Sequence, residues 1–176
     1  MKLSKEILDQ FDLEPVEERE PVNVMKLRDM LDFLEYNASR IHQKSQLYLS
    51  TDDPNLQIDC LDIVTAKLND FAQVFRDLVT FLLKERGQYK NNPSLRYSIA
   101  SYDTFDFHQT EAEELFLQEL LLRNEITHDY FNRELHHQKL IWIMTNCSRG
   151  AMDIHHNLEN YCKQHGLMDK FAENNA

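Results

Sequence analysis

Between Val24 and Ile41 apolar residues return at every third or fourth position: Val24, Leu27, Leu31, Leu34, Ala38 and Ile41. That interval lays them on one stripe of a helix. The pattern predicts a long helix from about Val22 to Leu49, stopped at Thr51-Asp52-Asp53-Pro54. Pro54 suits the first turn of the next helix, where a missing N–H costs nothing. From about Asn55 to Arg86 the apolar set is Ile58, Leu61, Val64, Leu68, Phe71, Phe75, Leu78 and Leu82, with Gly87 as the C-terminal cap. Residues 88–108 lose the period and are rich in aromatic and polar side chains, with one helical turn expected after Pro93. Thr110 and Glu113 form a T-x-x-E capping box that opens another helix. Its Leu115-Phe116-Leu117 and Leu120-Leu121-Leu122 leave hardly any polar face, which predicts a central helix covered by several partners or by another subunit. Asn132 reads as a fresh N-cap for a last helix to about His165, bent at Gly150 and ended by Gly166, with Ile141, Trp142, Ile143 and Met144 in the core. Ahead of these, Ser4 caps a short helix with Ile7, Leu8 and Phe11 on one face, and the acidic residues 12–21, bracketed by Pro15 and Pro21, read as an extended arm.

The expected fold class is therefore all-α, a four- to five-helix up-down bundle. Residues 1–21 form a short helix and acidic arm, 22–166 the bundle, and 167–176 a flexible tail.

Composition narrows the setting. A chain of 176 residues suffices for one domain with a real core, and three Gly and four Pro leave long helices unbroken. Cys60, Cys147 and Cys162 are odd in number and form no framework, which points to a reducing compartment. No apolar run reaches the roughly 18 residues needed to cross a bilayer. The start, MKLSKEILDQF, carries Glu6 and Asp9 where a secretory signal needs an apolar stretch, so the expected location is the cytoplasm and no membrane partner is expected.

The formal charge of −11 argues against broad, non-specific nucleic-acid binding, because phosphate contacts come from Lys and Arg. The acidity is uneven. Residues 1–119 hold 13 basic against 23 acidic side chains, a balance of −10. Residues 120–165 hold 5 against 5 and carry six of the eight His. A polyanion is expected to be tolerated best in that C-terminal third.

One run there carries chemistry. Residues 123–130 read Arg-Asn-Glu-Ile-Thr-His-Asp-Tyr, directly after the most apolar helix. At 100° per residue Arg123, Thr127 and Tyr130 share a narrow arc, with Asn124 and His128 on the adjacent strip. Polar groups at the end of a buried helix are costly unless satisfied or used. Imidazole moves a proton near neutral pH, and guanidinium offers a permanently charged fork for phosphate. With an orienting amide and a phenol, these suffice to cleave, without metal, a phosphodiester that supplies its own 2′-hydroxyl nucleophile. A histidine near a helix end also has a purely structural use, and Arg-x4-His by itself is a common pairing.

The segment LLRNEITHDYF resembles the signature of the HEPN superfamily in its HepT-like toxin branch: Arg, a polar residue (commonly Asn), three positions, His, one position, Tyr. Arg123, Asn124, His128 and Tyr130 match it one for one. The likeness extends from about Val22 to Gly166, though only the motif is specific. The N-terminal arm, the long 88–108 connection and the acidity depart from it. The resemblance implies an HEPN-like bundle acting as an endoribonuclease toxin, with neither metal nor cofactor. It implies a symmetric homodimer in which two motifs form one composite site, and the helix at 115–122 has the apolar faces for such an interface. By the same resemblance His128 is general base or acid for the 2′-hydroxyl, Arg123 neutralises charge on the phosphate, Asn124 orients His128, and Tyr130 lines the site. The partner implied is a small nucleotidyltransferase antitoxin, with Tyr130 the candidate for nucleotide modification. The alternative is a non-catalytic HEPN subunit that binds nucleotide or docks a nucleotidyltransferase. A third reading is an unrelated helical bundle in which the octapeptide is accidental.

Other features have plainer accounts. His136-His137 and His155-His156 cannot chelate as neighbours 100° apart on a helix, and Cys162-x-x-His165 lacks a second half, so exposed helix surface is expected at these positions. His137 borders the site if the helix carrying Tyr130 continues. Tyr97, Tyr102, Phe105 and Phe107 could stack bases, but packing at the top of the bundle is favoured. The acidic arm is expected to be solvated.

Overall fold

Asp53 closes the turn after the first long helix by accepting a hydrogen bond from the Asn55 amide at 2.9 Å, with Pro54 at the first helical position. The computed structural model describes residues 14–15, 24–126 and 133–168. On either side of this cap lie α1 (Val24–Ser50) and α2 (Pro54–Glu85), packed against each other along their length. A three-residue connection between helices this long forces them antiparallel. Leu27, Leu31, Leu34, Ala38 and Ile41 of α1 are buried, as the spacing predicts. So are Leu61, Val64, Leu68, Phe71, Phe75, Leu78 and Leu82 of α2. Ile58 departs from its stripe and is 56 % exposed, because it lies in the first turns of α2.

Gly87 follows α2 with φ 73°, the left-handed geometry that favours glycine. Residues 88–108 are more ordered than the sequence suggests. Gln88–Tyr89 (β2) pairs antiparallel with Glu14–Pro15 (β1), so this part of the acidic arm is held against the bundle by a two-residue ribbon. Asn92, with φ 49°, turns the chain into α3 (Leu95–Tyr102), which Ser94 caps by accepting from the Tyr97 amide. One 3-10 turn, Asp103–Phe105, follows. Tyr97, Tyr102 and Phe105 are buried, so the rings pack rather than face solvent. Tyr102 sits 5.5 Å from the Phe75 ring and 4.8 Å from that of Phe107, and Phe105 meets Tyr161 edge-on at 4.9 Å.

The capping box forms. Thr110 Oγ1 accepts from the Glu113 amide at 3.2 Å and Glu113 accepts from the Thr110 amide at 3.4 Å, opening α4 (Glu111–Ile126). Glu113 does more than cap. It is buried, receives the Tyr102 hydroxyl, and takes the Asn157 amide on both oxygens at 3.0 and 2.9 Å. Desolvation raises its pKa above the ordinary carboxylate value, and those donors pull it back in part.

The closing helix is two helices: α5 (Arg133–Asn146) and α6 (Gly150–Gln164). Counting α3, the described residues hold six α-helices where four or five are expected. Gly150 is more than a bend. A Cβ there would come within 2.2 Å of the Ala112 carbonyl oxygen and 2.7 Å of Phe116, so its bareness lets α6 start against α4. Gly166, φ 63°, ends α6, and the Leu167 amide returns to the Cys162 carbonyl at 3.0 Å. Leu167 is consequently buried. Trp142 corrects the expected core: it is 37 % exposed, whereas Ile143 and Met144, which follow it in α5, are buried.

The Ser4 helix, the Asn132 cap and residues 169–176 lie outside the described residues. Among those described, no helix is long and apolar enough to cross a membrane.

Candidate functional site

α4 is apolar on nearly every side, and much of it is covered within the chain. Phe116, Leu117, Leu120 and Leu121 are buried, while Leu115 and Leu122 are half-buried. The covered part packs against α5, α6 and α3.

Polar groups interrupt this helix on the side facing α5. Glu119 is nearly buried and accepts from Lys139 of α5 at 2.9 Å. One turn on, Arg123 is 3 % exposed. Its Nη1 donates to Asn69 Oδ1 at 2.8 Å and its Nη2 to the Thr65 carbonyl at 3.5 Å, both on α2. Its Nε is buried and has no partner among the described residues. Burial lowers the Arg123 pKa from its ordinary value, yet a guanidinium stays charged. A buried charge held by two neutral acceptors is unusual, because desolvation is ordinarily offset by a carboxylate. No carboxylate forms an ion pair with it among the described residues.

Arg123 and Asn124 line a cleft of about 310 Å3 with Asn69, Arg76, Ser94 and Leu120. Two guanidinium groups and three side-chain amides, Gln73 being the third, around one opening make a surface that suits an anion with oxygen acceptors. α2 supplies Asn69 and Arg76, the turn before α3 supplies Ser94, and the end of α4 supplies Arg123 and Asn124.

The described imidazole that feels Arg123 is His136, near the start of α5. Its pKa is lowered, first by burial, then by the Arg123 charge and by His137. His136 is half-buried and His137 exposed, so the neighbour of the site is the residue before the one the sequence favours. Glu119 meets Lys139 of α5, and His136, one turn nearer the start of that helix, feels the Arg123 charge.

Of the motif, Arg123 and Asn124 are placed and share the cleft; His128 and Tyr130 lie outside the described residues, as does the helical-face argument that joins them. Sequence reasoning missed Asn69, Arg76 and His136. Asn69 and Arg76 sit on α2 about fifty residues before the motif, where no local pattern reveals them. His155 corrects the expectation of exposed surface: it is buried, and burial lowers its pKa against the opposing pull of Glu35, Glu159 and Asp32. Cys162 is buried too, while His165 is exposed and stacks on Tyr161 at 4.0 Å. Among the described residues, no three His, Cys, Asp or Glu side chains converge as metal ligands.

Comparison with family models, with curated proteins and with solved structures found no match.

Proposed function

We propose that this chain is a metal-independent endoribonuclease of HepT-like HEPN type, the toxin half of a pair whose other half is a small nucleotidyltransferase. The observation that carries the reading is Arg123, a buried guanidinium without a carboxylate partner among the described residues, which opens onto a cleft beside Asn124. A charge kept in that state is preorganised for an anion and needs no rearrangement when negative charge grows on a phosphoryl oxygen. In this reading Arg123 holds the phosphate, His128 takes the 2′-hydroxyl proton or protonates the leaving oxygen, Asn124 orients His128, and Tyr130 lines the site. His136 is a second imidazole within the electrostatic reach of Arg123. The active form is a homodimer whose two motifs meet, and Tyr130 is the target by which the partner silences the toxin.

A second reading is favoured by the Asn69 and Thr65 contacts, which tie Arg123 to α2. In it the same cleft grips a nucleotide phosphate without turnover.

The test is RNA decay by purified protein in chelator, beside His128→Ala and Arg123→Met. The nuclease reading expects cleavage by wild type alone, leaving 2′,3′-cyclic phosphate ends, with both variants folded and silent. Absence of cleavage with retained nucleotide binding would establish the second reading instead.

A further inference from the structure

The cleft at Arg123 does not end at Arg76. Gln73 and Arg76 also line a second cleft, of about 360 Å3, together with Thr80 and Lys84 of α2 and with Lys90 and Asn92 of the turn before α3. The two clefts adjoin at Gln73 and Arg76, and taken together they make a trough along α2. Along α2 it runs from Asn69 to Lys84, about 22 Å at 1.5 Å per residue. The rim opposite is the turn 90–94, which Asn92 bends through its left-handed backbone and which the β1–β2 ribbon anchors upstream.

Its charge is out of keeping with the molecule. In a chain of formal charge −11, Arg76, Lys84, Lys90 and Arg123 line the trough against Asp77. Asp77 has both oxygens engaged at 3.0 Å by the Gln73 amide, and Gln73 in turn accepts from Arg76. The remaining lining is Asn, Gln, Ser and Thr together with Ala72, Pro93, Leu95 and Leu120, with no aromatic ring among the described residues. Tyr97 lies close by but is buried, with the Lys90 ammonium over its ring at 5.3 Å.

We infer that this trough is the bed of a single RNA strand, which enters along Lys84 and Lys90 and is led past Arg76 to the phosphate held at Arg123. The inference rests on the nuclease reading for the identity of the strand. Cations spaced along a helix follow a sugar–phosphate backbone, and amides and hydroxyls bond its oxygens. Without rings to stack bases, recognition is indifferent to sequence and governed by salt. Three of the four cations come from the acidic first two-thirds of the chain, which the fold sets beside Arg123 of the C-terminal third.

The experiment is fluorescence anisotropy of labelled single-stranded RNA on the full chain carrying His128→Ala, titrated across salt concentrations. Contacts to four phosphates through Arg76, Lys84, Lys90 and Arg123 give a slope of log K against log salt of about −3. Lys84→Ala and Lys90→Ala should each flatten it by about 0.7, equally for oligouridine and oligoadenine, with unchanged circular dichroism. Unaltered affinity and slope in the Lys84→Glu/Lys90→Glu double variant would overturn the trough. So would a strong preference for one base sequence. The two proposals fail separately. If the double variant made in the chain with His128 intact cuts RNA with unchanged KM, the trough is lost and the nuclease kept. RNA bound through Lys84 and Lys90 but never cut by the unaltered chain loses the nuclease and keeps the trough.

Discussion

The seam between α1 and α2 buries mostly hydrocarbon, whereas the seam between α4 and α5 takes in a carboxylate and the flank of an imidazole, with a buried guanidinium beside it that reaches α2. Both are helical hairpins, and both pack against the same core. In the first, Leu27, Leu34, Ala38 and Ile41 and Leu61, Val64 and Leu68 with their neighbours are buried, and apolar burial dominates, with the Lys67 ammonium over the Tyr36 ring at 5.0 Å as a polar contact between the two helices. In the second, Glu119 answers Lys139, and Arg123 has only neutral acceptors on α2. One hairpin is built for stability; the other gives up some of it to keep charge in a fixed place.

The comparison can be broken most forcefully on the first hairpin. Leu34→Ala, fully buried on α1, is expected to cost about 2–5 kcal/mol in urea denaturation. A loss below 1 kcal/mol would mean that the seam is not where the stability lies. Next comes pH. His155 has its pKa lowered from 6.5 by burial, so the unfolded chain binds the proton more readily. Its contribution is present above pH 6.5 and is lost as pH falls through the lowered folded value, and His155→Phe should flatten that part of a melting-temperature profile. Glu113 works the other way: its folded pKa is raised above 4.5, so its contribution is present below 4.5 and withdrawn as pH rises through the folded value. Glu113→Gln should remove that slope. A smaller effect tests the second hairpin. Arg123→Met replaces a buried, unbalanced charge with hydrocarbon of similar reach, and stability should stay level or rise by about 1 kcal/mol while RNA cleavage disappears. Destabilisation by several kcal/mol would make Arg123 a structural tie instead of a poised charge. Smallest of all, Ile58→Ser on the exposed start of α2 should fall within about 0.5 kcal/mol of wild type.

The same contrast explains what could be read from the chain beforehand. α1 and α2 announce themselves because one face is apolar and the other is not, and their bounds match the spacing to within a residue or two. The Thr110–Glu113 box is likewise local chemistry, and it forms as read. α5 has no such asymmetry: Leu140, Ile141, Trp142, Ile143 and Met144 run consecutively, so periodicity could not say which one faces out, and it is Trp142. Gly150 was legible as an interruption but not as a contact, since the Ala112 carbonyl it accommodates lies 38 residues earlier. The site shows the same limit. Arg123 and Asn124 stand out as polar residues at the end of a greasy helix, but the Asn69 and Arg76 that make a cleft around them come from another helix. The third partner, His136, is one position away from the histidine that helical spacing favours.

The ribbon joining Glu14–Pro15 to Gln88–Tyr89 bears on how the protein should be handled at the bench. It fastens the stretch of chain that precedes α1 to the rim on which Lys90 and Asn92 stand. A shortened version beginning at α1 would keep every helix described above and still leave that rim untethered. Affinity tags and fusion junctions therefore belong upstream of residue 14.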